Sequence, residues 1–167
     1  MRDADQAVRA RMNEAGWQNE ARGREVIALD AANTKRLREI FAVHGFPGIE
    51  LVGKDGAEAA FTMVLHSPST DLQKRSLAYL TKAWRRGEVP PEAVAGLTDT
   101  FRHRQGKSQI YGTRFEILGG KLVLGKIKDP ARLHARRAKL GLMPLGEYVK
   151  GLEEMYKMPV ETTSIPR

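Results

Sequence analysis

The chain has no cysteine at all. Disulfides, thiolate nucleophiles and cysteine-built zinc or iron-sulfur sites are therefore excluded, and any catalysis must come from His, carboxylates, Tyr, Ser, Thr, Lys or Arg. Long apolar runs are missing too: nothing approaches the roughly 20 residues of a membrane span. The first residues are polar and acidic where a secretory signal needs an apolar core after a basic start, so a soluble, cytoplasmic protein without a membrane partner is expected. There is no P-loop, GxSxG elbow, HExxH pair or dinucleotide-type GxGxxG, which removes the enzyme classes those motifs mark. Aromatic residues are only 7% of the chain, and none recur as a base-stacking platform.

What is abundant is positive charge. Lys and Arg number 28 against 20 Asp and Glu, a net +8. The excess concentrates between Phe101 and Lys139, where eleven bases face only Glu116 and Asp129. Nucleic acid, acidic ligands, or no partner beyond solvent are the readings this leaves open. At 167 residues and 41% hydrophobic content, one helical domain over residues 1–158 is expected, with 159–167 as a frayed tail.

Hydrophobic spacing predicts a mainly α fold of six to seven helices with one β-hairpin at about 115–127. Val8, Met12 and Ala15 mark a first helix from Asp3 to about Arg22, with Trp17 near its end. Asp30 reads as the N-cap of a second helix carrying Leu37, Ile40 and Phe41 up to Gly45. Residues 49–56 read as a loop, with Asp55 capping a third helix that ends at His66. Ser69, Thr70 or Asp71 can cap the fourth, and Pro90 and Pro91 open the fifth. Gly119 and Gly120 suit the positive φ values of a two-residue hairpin turn, and helices follow over 129–140 and 145–156.

The candidate chemistry is scattered. His44, His66, His103 and His134 lack the i, i+4 spacing that places two metal ligands on one helical face, so no metal and no cofactor are expected. His66, at the end of an apolar helix, is the candidate general acid or base, with helix capping as its competing role. Asp99 is the candidate to orient it, and Tyr111 or Arg114 to stabilise developing negative charge. Gln73 follows His66 by seven residues. Asp30 and Asn33 share a helical face and suit hydrogen bonding to a ligand, binding of a hard cation with water, or capping. Gln109, Tyr111, Thr113 and Arg114 form the densest set of donors; in an extended segment the first three share one side, away from Arg114.

Asp30 with Asn33, Gly45 to Pro47, Val52 with Gly53, His66 with Gln73, Leu97 to Asp99, Gly106 to Thr113, and Arg136 to Tyr148 stand in an order that resembles a bacterial family classed as a domain of unknown function. Its signature runs GWP, VG, H, Q, LTDR, GxxQxYGTQ and RRxxxGLxPLxEY. This chain departs from it at Thr100, where the signature has Arg, and at Arg114, where it has Gln. No activity comes with the resemblance, which implies positions and not a reaction. A small-molecule enzyme using metal-free acid-base or hydrolytic chemistry on a polar or anionic ligand is the leading expectation. A non-catalytic binding or resistance-type protein using the same residues, and a nucleic-acid binder using residues 101–139, are the alternatives.

Overall fold

The computed structural model describes residues 1–16 and 19–162; Trp17, and residues 163–167 of the stretch expected to fray, lie outside the described residues. The described chain is mainly α, with seven helices and a small three-stranded sheet. Its packing divides into two compact units, Met1–Tyr79 and Leu80–Arg167.

The first unit is built on α1 (Arg2–Ala15), α2 (Glu20–His44), α3 (Ile49–His66) and the opening of α4 (Thr70–Arg85). In α1, Val8 and Met12 are buried one turn apart, and the stripe continues back to Asp5, a fully buried carboxylate. The second helix starts ten residues before the expected N-cap. Asn19 accepts a hydrogen bond from the Arg22 N–H at 3.1 Å, which caps the helix there. Helix then runs through Gly23, whose cost of about 1 kcal/mol against Ala is too small to stop it, and through Asp30. Asn33, Thr34, Leu37 and Phe41 form its buried stripe.

Residues 49–52 form a helical turn where a loop was expected, and the backbone breaks at Gly53 (φ 68°, ψ 177°) before α3 resumes. Positive φ at that kink suits glycine. Ser69 accepts from the Leu72 N–H at 3.4 Å and caps α4, as the sequence offered. Phe46 stacks on Tyr79 with centroids 4.4 Å apart and meets Phe41 edge-on at 5.7 Å.

The second unit contains the rest of α4, then α5 (Pro91–Arg104), β1 (Phe115–Leu118), β2 (Lys121–Leu124), α6 (Leu133–Leu140), α7 (Leu145–Tyr156) and β3 (Val160–Glu161). Pro91 sits in the first turn of α5, and a 3-10 turn, Pro130–Arg132, leads into α6. β1 and β2 pair antiparallel with Phe115 opposite Leu124, closed by Gly119 and Gly120 at φ 56° and 75°. Both values are positive, as a type I′ turn requires. Val160 and Glu161 pair in parallel with β2, giving the order β1-β2-β3. Leu124, Ile127, Leu133 and Leu145 are buried together, with Phe115, Tyr148 and Val149 packed on them. No helix among the described residues is long and apolar enough to cross a membrane.

Candidate functional site

In the first unit, polar side chains from three helices meet: from the start of α1, the middle of α2 and the end of α3. Asp5 comes from α1, Asp30 from α2 and His66 from the last turn of α3. His66 Nδ1 lies 3.0 Å from Asp5 Oδ1 and 3.0 Å from Arg9 Nε. Arg9 Nε also lies 3.1 Å from Asp5 Oδ1, while its terminal nitrogen donates to Asp30 Oδ1 at 2.6 Å. Gln6 donates to the other Asp5 oxygen at 3.1 Å. Asp5 thus satisfies both oxygens with full burial, whereas the His66 and Arg9 side chains keep 24% and 20% exposure, enough to meet a ligand. Burial and then the Arg9 charge push the His66 pKa below its usual 6.5, against the opposing pull of Asp5. The imidazole is therefore neutral at pH 7.

Asp5, Asp30 and His66 each bring one potential ligand atom within 4.8 Å of the others, a spread a metal ion can span. Arg9 is bonded to all three, so a cation would have to compete with its guanidinium.

Asn33, one turn along α2 from Asp30, donates to Met63 Sδ at 3.4 Å. Met63 also lines a cleft of about 410 Å³, together with Leu37, Ile40 and His44 of α2 and Ala60 of α3. Gln73 turns its amide to the end of α3, where Nε2 donates to the Ser67 carbonyl at 3.0 Å and the Val64 carbonyl at 3.4 Å. Such carbonyls have no intrahelical partner, so Gln73 closes the helix from outside.

The second unit gathers Asp99, Gln109, Tyr111 and Thr113 around a loop. Asp99 is fully buried in α5. Its Oδ1 accepts from the Ile110 and Tyr111 N–H groups at 2.7 and 3.1 Å, and its Oδ2 from the Thr113 N–H and hydroxyl at 3.0 and 2.9 Å. Gln109 clamps Arg114: Oε1 accepts from its N–H at 2.7 Å and Nε2 donates to its carbonyl at 2.8 Å. Arg136 donates to the Ile110, Lys128 and Asp129 carbonyls, Arg137 to the Tyr111 and Met143 carbonyls, and Arg102 to Ser108. Three of the arginines in the basic segment thus hold backbone, which weakens the case for a nucleic-acid face built on them. Burial, then the Asp99 charge, raises the Tyr111 pKa above 10, so its hydroxyl stays protonated and able to donate.

The expected site residues therefore fall into two sets. His66, Asp30, Asn33 and Gln73 belong to the first unit; Asp99, Gln109, Tyr111, Thr113 and Arg114 belong to the second. Asp5 and Arg9 were not anticipated. Their signal was an acidic residue at a stripe position, Asp5 standing three before Val8 and seven before Met12, with Arg9 one turn on.

Residues 1–161 match the family of unknown function DUF6624. The chain belongs to that family. No curated protein and no solved structure matches it. DUF6624 membership spans both units, so the charged cluster and the clamped loop lie within the region that defines the family.

Proposed function

We propose that this DUF6624 protein is a small-molecule enzyme whose proton-transfer group is His66, oriented by Asp5. One observation carries the reading: an imidazole nitrogen 3.0 Å from a fully buried carboxylate. On this reading His66 carries its ring proton on Nδ1 and donates it to Asp5 Oδ1, which also accepts from Arg9 Nε–H. The opposite tautomer would let Nδ1 accept from Arg9 Nε–H at 3.0 Å but set its lone pair against the buried carboxylate oxygen at 3.0 Å, and the carboxylate is the stronger partner for the one ring proton. With Nδ1 protonated, the basic lone pair resides on Nε2, and a depressed pKa keeps it unprotonated at neutral pH. Asp5 then stabilises the imidazolium formed when His66 takes a proton from water or from the substrate.

Arg9, anchored by Asp30, supplies positive charge for an anionic substrate group or a developing oxyanion. The cleft that Met63 lines offers room for the rest of the substrate. Asp99, Gln109 and Thr113 serve on this reading as loop-holding groups. We further take the protein to be soluble, cytoplasmic and bacterial, and the GxxQxYGT and RRxxxGLxPLxEY segments to be the signature of that loop. Asp99, Gln109, Arg136 and Arg137 supply the bonds that support this role.

The test is turnover across a panel of small esters, amides and phosphoesters, followed by proton release and NMR. His66→Ala should lower turnover about 10²- to 10⁴-fold while circular dichroism and ligand affinity are kept. Undiminished turnover in His66→Ala would refute the assignment. A compound that binds the wild type and His66→Ala alike and is never converted would favour the binding-protein reading instead.

A further inference from the structure

We propose that Arg114 is an oxyanion-binding residue of the second unit, taking a carboxylate or phosphate group of a small ligand on its guanidinium. The inference rests on how differently the backbone and side chain of this residue are treated.

The backbone is fixed from two sides. Gln109, itself buried, bonds both the Arg114 N–H and its carbonyl, and the Gly125 N–H donates to that carbonyl at 3.2 Å. Gln109 is held in turn by its own backbone, which donates to the Lys126 carbonyl and accepts from Lys128 N–H, both at 2.8 Å. Glycine at 125 is required for this clamp: a Cβ there would stand 2.6 Å from Gln109 Nε2. The stem of Arg114 therefore leaves from a point that neither strand nor loop motion readily displaces.

The guanidinium is treated in the opposite way. Its Nε is buried without a hydrogen-bond partner, and among the described residues the group makes no hydrogen bond or ion pair. Arg102, Arg136 and Arg137 in the same unit all donate to carbonyls. A buried charge-bearing nitrogen left without an acceptor is costly, and an anion held on the terminal nitrogens of the same half-buried guanidinium offsets part of that cost. The planar fork matches the two oxygens of a carboxylate or phosphate, and a residue whose donors are not already engaged can use it. Net positive charge in residues 101–139 draws anions toward this unit.

The experiment is a titration of the full chain with inorganic phosphate and, separately, succinate at constant ionic strength, with chloride as control. The Arg114 Nε–H resonance and the amides of residues 109–115 are followed by NMR, and affinity by calorimetry. A saturable shift is expected with at least one anion. Arg114→Lys should weaken affinity about tenfold or more, and Arg114→Gln should abolish it. Response to phosphate alone identifies a phosphoryl group as the ligand moiety, and response to succinate alone a carboxylate. If neither anion moves these signals beyond chloride, or if binding persists in a folded Arg114→Gln, the proposal is overturned. Should Arg114→Gln fail to fold, the wild-type titration and Arg114→Lys decide it.

Discussion

Asp5 in the first unit and Asp99 in the second are both fully buried carboxylates, and their partners set them apart. Asp99 is surrounded by backbone N–H groups and one hydroxyl, none of which changes protonation in the neutral range. Asp5 faces an imidazole and a guanidinium, and the imidazole does titrate near neutrality. Burial alone would rank the two aspartates as equal candidates for chemistry. The identity of the donors ranks them differently: Asp99 holds a loop, and Asp5 is coupled to a group that can move a proton.

The largest expected effect separates the two by stability. Asp99→Ala leaves three N–H groups and a hydroxyl of the 110–113 loop without their acceptor, and should cost about 3 to 5 kcal/mol in urea unfolding. Asp5→Asn keeps shape and some hydrogen bonding while removing the charge between Arg9 and His66, so about 1.5 to 3 kcal/mol is expected. A reversed order would break the comparison. Thr113→Val removes one of the Asp99 bonds and leaves the rest, which predicts a loss of about 1 kcal/mol and unchanged turnover.

The smallest effect is the pH dependence contributed by His66. Its folded pKa is lowered, so between that value and the unfolded value near 6.5 the unfolded chain binds more protons. The stability from His66 is fully present above about pH 6.5 and is lost as pH falls through the folded pKa. Unfolding free energies measured from pH 7.5 downward should fall less steeply in His66→Gln than in the wild type. An unchanged slope would remove His66 as the source.

The number of helices and the hairpin were legible because they rest on local rules, whereas the end of α1 at Ala15, the start of α2 at Glu20 and the start of α3 at Ile49 were not. Ser69, Pro91 and the glycines at 119 and 120 each act within a few residues, and each behaves as its chemistry implies. Asp30 was misread as a cap because Asn19 had already capped the same helix and Arg9, 21 residues earlier, takes its carboxylate. β3 escaped notice because two residues, Val160 and Glu161, carry no periodicity; only their pairing with β2 defines them. Of the candidate site, His66 and Asp30 were readable as residue types, while Asp5, Arg9 and all the pairings were not. Asp5 and His66 are 61 positions apart, and spacing cannot bring such a pair together. The Gln109, Tyr111 and Thr113 segment drew attention through its donors, yet its backbone N–H groups, invisible in sequence, are what Asp99 binds.

The most direct measurement of the central claim is long-range ¹H–¹⁵N NMR of the His66 ring, recorded across pH in the wild type and in Asp5→Asn. The account predicts the Nδ1-protonated tautomer, titrating below pH 6.5 in the wild type and lower still once the Asp5 charge is removed. An Nε2-protonated ring in the wild type, or a His66 titration that Asp5→Asn leaves unmoved, would contradict it.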